Sequence, residues 1–87
     1  MANEKIIKLA ELLNQAELEL IGFDAKLEKE RRLDIVKLYN SRLKVANYYN
    51  TTFKGMIEKP FCEEVQHYYN SVSRLVHKAC VFSEGKE

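Results

Sequence analysis

At 87 residues, with 46% hydrophobic and 31% charged side chains, the chain is one domain at most and too apolar to remain disordered. Its 14 Lys and Arg against 13 Asp and Glu leave a net charge of +1, so no global field drives it onto nucleic acid or anionic lipid. Nowhere does an apolar run approach the roughly 20 residues of a membrane span, which predicts a non-membrane protein.

Charge is nevertheless uneven along the chain. Residues 1 to 24 hold five acids and two Lys, a balance of −3; residues 25 to 59 hold nine bases and four acids, or +5; residues 60 to 87 hold three bases and four acids, or −1. The N-terminal stretch MANEKIIKLAELL carries Glu4 and Glu11 among its apolar residues and does not read as a secretory signal.

Gly22, Gly55 and Pro60 divide the chain where the apolar period resets, and the spacing predicts helices over about 4–21, 24–54 and 60–82; the alternative is that the first two fuse into one rod, since a lone Gly costs a helix only about 1 kcal/mol. In the first, Asn3 is a good N-cap and Ile6, Leu9, Leu13, Ala16 and Leu20 follow alternating three- and four-residue steps. In the second, Asp24 serves as the cap and the inner stripe reads Leu27, Arg31, Ile35, Leu38, Arg42, Val45, Tyr49, Phe53. Gly55 suits the left-handed position past the helix end, with Met56 folding back on the last turn. Pro60 suits the first turn of the third helix, and Phe61, Val65, Tyr68, Val72, Leu75 or Val76, Ala79 and Phe82 keep helical spacing after it, with a fraying SEGKE tail. The fold class expected is all-α: a three-helix antiparallel bundle spanning 1–87 as one domain, completed by dimerisation or by a partner.

Two stretches, VANYYNTT at 45–52 and VQHYYNSV at 65–72, read almost alike. Neighbouring helical residues point about 100° apart, so each Tyr-Tyr pair splits: Tyr49 and Tyr68 go inward, while Tyr48 points outward and Tyr69 lies on a flank. With the turn centred near residue 57, facing residues have numbers summing to about 114, which sets Tyr49 against Val65 and Tyr68 against Ala46. The twin motif is then two halves of one packing layer, with Tyr48 and Tyr69 left over.

Further apolar residues exceed one seam. Ile7 and Leu18 form a side stripe on the first helix, Leu12 stands on another face, and Leu33 falls on the outer face of the second helix beside Lys26, Lys37 and Lys44. Such surplus marks a contact surface. The candidate partner-binding residues are therefore Ile7, Leu12, Leu18, Leu33, Lys37, Lys44, Tyr48 and Tyr69.

No constellation carries a reaction. Glu64 and His67 have the Glu-x-x-His step of carboxylate-bridged iron bundles but lack facing carboxylates, and His77 with Cys80 lacks a second ligand pair, so no metal and no cofactor is expected. Cys62 and Cys80, 18 residues and roughly 27 Å apart on one helix, cannot pair with each other within it; two free thiols in a reducing cytoplasm are expected, with an intermolecular bridge as the alternative, and Cys80 is expected to be buried. The stretch EKERRLDIV, 28–36, resembles the Glu-Arg-Arg segment of all-helical chorismate mutases over a few residues, without that family's preceding Arg and following Lys. Arg31 and Arg42 on the inner stripe are expected to pair with Glu17 or with hydroxyls of the third helix.

These observations favour a non-enzymatic, dimeric protein-binding regulator, inhibitor or adaptor in the cytoplasm. Its size and its Lys, Asn, Tyr and Ile usage are of the kind met in AT-rich phage or mobile-element coding. The alternatives are a nucleic-acid accessory factor using the basic face of helix two, and a small helical enzyme with an Arg-lined anion site.

Overall fold

Gly22 does not end the first helix. In the computed structural model, which describes residues 4–84, the elements are α1 (Glu4–Glu30), α2 (Ile35–Thr52) and α3 (Cys62–Glu84), with no strand among the described residues. An exposed Gly inside a helix costs roughly 1 kcal/mol relative to Ala, whereas burying one leucine gains about 1.5–3 kcal/mol. Continuing α1 past Gly22 carries Leu27 into the core at 1% exposure, so burial outweighs the glycine. Asp24, the expected cap of the second helix, is thus an interior residue of α1. The cap expected at Asn3 lies outside the described residues.

The break comes nine residues after the expected one, at Arg31 and not Gly22. Arg31 adopts a left-handed backbone, φ 61, and its N–H donates to the Leu27 carbonyl at 2.8 Å, the single-bond form of helix C-cap. Its guanidinium lies 4.5 Å from the centroid of the Phe82 ring, a contact that offsets part of the left-handed strain. Asp34 then caps α2, accepting a hydrogen bond from the Lys37 N–H at 3.1 Å. Leu33 before the cap and Leu38 four residues after it occupy the positions of a hydrophobic staple, and both pack into the core. Leu33 is therefore half-buried in the α1–α2 connection, not exposed on the outer face of the second helix.

At the other end of α2, Phe53 N–H bonds the Tyr49 carbonyl at 3.2 Å and Met56 N–H bonds the Phe53 carbonyl at 3.2 Å. Gly55 takes φ 84 within this turn, as its position in the sequence requires. Met56 remains about half exposed and does not fold back. Pro60 precedes α3 rather than opening it, and the helix begins after Phe61, another left-handed residue at φ 55.

Side-chain contacts fix the topology. Tyr48 reaches Lys5 and Ser41 reaches Glu19, so α2 runs antiparallel to α1; Lys78 binds Asp24, and Phe82 lies under Arg31, so α3 runs parallel to α1. The result is an up-down-up rod of 54 × 20 × 18 Å. Its core is a column of Leu9, Leu13, Ala16 and Leu27 from α1, Leu38, Val45, Tyr49 and Phe53 from the second helix and its cap, and Val65, Tyr68, Val72 and Leu75 from α3.

Candidate functional site

α2 has a second apolar edge. Val36, Tyr39 and Leu43 follow an i, i+3, i+7 step that places them along one side of the helix, and they remain 71%, 47% and 51% exposed. Ile35 adjoins them, more than a third exposed, where the inner-stripe reading had it inside. On that flank the Arg42 guanidinium lies 4.2 Å from the Tyr69 ring centroid, bridging α2 and α3. Arg42 stacks on Tyr69, and the Tyr49 hydroxyl lies beside Cys62, so facing residue numbers sum to 111 in both cases. The register is about three residues from the 114 expected, because side-chain packing across the helices, and not the midpoint of the connection, sets it. Both arginines thus meet ring faces of α3 rather than carboxylates or hydroxyls.

The residues expected at the surface divide. Ile7 and Leu18 are 56% and 57% exposed on α1, and Lys37 and Lys44 are exposed on α2. Leu12, Leu33, Tyr48 and Tyr69 are half-buried. Tyr48 does not point outward: its hydroxyl donates to the Lys5 carbonyl at 3.0 Å, Lys8 Nζ lies 5.3 Å from its ring centroid, and its ring meets Phe53 edge-on at 6.2 Å. Tyr69 contributes one face to Arg42 and lies 6.0 Å from the Tyr68 ring. Cys62 and Cys80 are both exposed free thiols, which corrects the expectation that Cys80 is buried.

Polar chemistry in the core centres on Ser41, the buried polar residue among those described, whose hydroxyl donates to Glu19 Oε1 at 2.5 Å. The Tyr68 hydroxyl lies beside Ser41 without a well-formed hydrogen bond, and the buried Tyr49 hydroxyl likewise lacks one. Burial pushes both phenols above the ordinary tyrosine pKa; the Cys62 thiol adds to the rise at Tyr49, while Ser41 opposes it at Tyr68. Tyr69 is raised by burial, and Arg42 pulls the other way.

Two grooves flank α1. One, of about 430 Å³, runs between α1 and α3 and is lined by Glu17, Leu20, Ile21, Asp24, His67, Ser71, Arg74, Leu75 and Lys78. Lys78 crosses its end to Asp24 at 2.9 Å and to Glu28, and these carboxylates hold the ammonium above its ordinary pKa, the Glu28 bond most of all. The other, of about 480 Å³, lies between α1 and α2 and gathers Lys26, Arg32, Lys37 and Lys44 around Gly22 and Phe23. Glu64 and His67 are exposed on α3, and no three His, Cys, Asp or Glu converge among the described residues.

The fold and its surface thus define a small three-helix bundle with an exposed aromatic and aliphatic edge. Comparison with protein-family models, curated proteins and solved structures finds no match. No described helix is long and apolar enough to cross a membrane. The Val36, Tyr39 and Leu43 edge was legible in the sequence as a second apolar period. It is obscured when the inner stripe is extended backward from Leu38 through Ile35 to Arg31, which treats the α1–α2 connection as helix.

Proposed function

We propose that this chain acts by binding another protein, as a regulator, inhibitor or adaptor, and that the Val36–Tyr39–Leu43 edge of α2 is the contact surface. The observation that carries this reading is the exposure of three large apolar residues at helical spacing on a helix whose opposite face is already buried. Such an edge is spaced to receive an amphipathic helix, and Tyr39 supplies an anchor with a polar tip. The setting in this reading is a reducing cytoplasm, where the exposed Cys62 and Cys80 stay free. Self-association belongs to the same reading, because exposed Ile7 and Leu18 lie on α1, leaving the α2 edge for a different partner.

The test is affinity capture from the native cell with the intact chain and with a Tyr39→Ser, Leu43→Ser variant, read by mass spectrometry. A protein captured by the intact chain, retained by Ile7→Ser, Leu18→Ser and lost with the α2 variant supports the assignment, provided circular dichroism shows the same helix content in all three. Equal capture by all of them overturns it.

A further inference from the structure

Glu4, Glu11, Gln15, Gly22 and Lys26 follow seven- and four-residue steps along α1, so they form one line on the helix, and all are exposed. The line holds two acids at its N-terminal end, where the Lys8 between them turns to the Tyr48 ring with its Nζ 5.3 Å from the centroid, and a base at its C-terminal end. Ile7 and Leu18 sit beside it, each more than half exposed. Its basic end opens into the α1–α2 groove, where Lys26 is joined by Arg32 from the connection and by Lys37 and Lys44 from α2. The groove also holds two acids, Glu19, which accepts from the Ser41 hydroxyl, and Asp34, which accepts from the Lys37 N–H; both keep their charge, so four cations against two acids leave the groove net positive. None of its four cations makes an ion pair with a described residue. Four cations thus face an opening whose floor includes Gly22, where no side chain obstructs approach.

We propose that this groove receives the Glu4 and Glu11 edge of α1 from a second copy of the chain, in an antiparallel two-fold pair that fills both grooves. The inference deepens the self-association proposed above and is independent of the α2 edge. Spacing supports it: Glu4 and Glu11 are seven residues apart, as are Lys37 and Lys44, so each pair spans about 10 Å along its helix. Symmetry supports it as well. A line that is acidic at one end and basic at the other is self-complementary when two copies run in opposite directions, so one two-fold axis near Asn14 and Gln15 satisfies both ends at once. That axis lays the partner's α1 over Ile7 and Leu18 of each copy. Charge along the chain agrees, with −3 over residues 1 to 24 and +5 over residues 25 to 59. A nucleic-acid strand is the weaker occupant, because the same line that offers Lys26 also offers Glu11, and phosphate has no use for Ile7 or Leu18.

The test is a charge exchange, with association followed by sedimentation at low salt and folding by circular dichroism. The wild-type chain is expected to dimerise, with the dimer weakening as salt rises. Glu4→Lys, Glu11→Lys and, separately, Lys37→Glu, Lys44→Glu are each expected to weaken self-association by about tenfold or more, since each sets like charges together in both grooves. Mixed together, the two variants are expected to pair with each other, because each then offers the charge the other needs. If the reversed lysine variant loses its helical signal, Lys37→Gln, Lys44→Gln replaces it in the single-variant measurement. A wild-type chain that stays monomeric overturns self-association itself. A dimer that neither variant weakens places the contact on another face and overturns the groove assignment alone, as does failure of the mixture to pair. A labelled oligothymidylate that binds wild type and is lost with Lys37→Glu, Lys44→Glu, in the absence of any dimer, overturns the proposal in favour of a nucleic-acid groove.

Discussion

The Tyr48 hydroxyl on α2 donates to the Lys5 carbonyl on α1 at 3.0 Å, joining residues 43 positions apart in sequence. The first tyrosine of the VANYYNTT stretch therefore ties α2 to the start of α1. In VQHYYNSV the first tyrosine, Tyr68, is the buried one, and the second, Tyr69, carries Arg42 across the α2–α3 boundary. The two motifs share one inward tyrosine each, Tyr49 and Tyr68, and the remaining ones, Tyr48 and Tyr69, serve different interfaces.

Tyr48→Phe removes only the hydrogen bond and is expected to cost about 0.5–1 kcal/mol. Tyr48→Ala also removes the packing on Phe53 and should cost roughly 2 kcal/mol, short of the 3–5 kcal/mol expected for Tyr68→Ala at a fully buried site. Urea midpoints of the three variants give the order; equal losses for Tyr48→Ala and Tyr68→Ala refute the distinction between half-buried and core tyrosine.

The two glycines should respond in opposite directions. Gly22→Ala adds a methyl where nothing lies within 4 Å inside a regular helix, so it is expected to stabilise by about 0.5–1 kcal/mol, measured at concentrations below self-association. Gly55→Ala forces φ 84 on a residue with a side chain and is expected to destabilise by about 1 kcal/mol or more. Thermal midpoints that move the same way for both contradict the backbone assignment.

Asp34→Ala removes the cap from α2 and should cost about 1 kcal/mol, whereas Asp24→Ala removes one partner of a partly exposed lysine and should cost less. If Asp24 proves the more costly, the α2 start assigned to Ile35 is wrong.

Alkaline pH is expected to unfold the protein. Burial raises the Tyr49 and Tyr68 pKa in the folded state above the unfolded value of about 10, so their neutral forms are favoured by folding. The associated stability is fully present below pH of about 10 and is lost as pH rises through the folded-state values. Lys78, raised by Glu28 and Asp24, acts in the same direction. Phenolate absorbance followed alongside helix content should show the buried tyrosines ionising together with loss of helix, and Tyr68→Phe should shift that transition to higher pH.

The sequence by itself determined that the chain is helical and most of the core from Leu38 onward; it did not foresee buried Ser41, set half-buried Arg42 inside, and left Leu75 and Val76 as alternatives. Leu38, Val45, Tyr49, Phe53, Val65, Tyr68, Val72 and Leu75 all fall where three- and four-residue spacing puts them, since a helix converts sequence period directly into a face. Gly55 was equally legible, because a left-handed turn is a local demand on one residue. Only the tertiary structure decided where α1 ends. Gly22 and the Arg31 connection differ by amounts near 1 kcal/mol in local terms, and the burial of Leu27 against residues distant in sequence settles the choice. The same holds for Tyr48, Arg31 and Arg42. Each has a polar or cationic end on a long side chain, and whether that end meets water, a carbonyl or a ring depends on which helix lies beside it, a relation between segments that no single segment's periodicity contains.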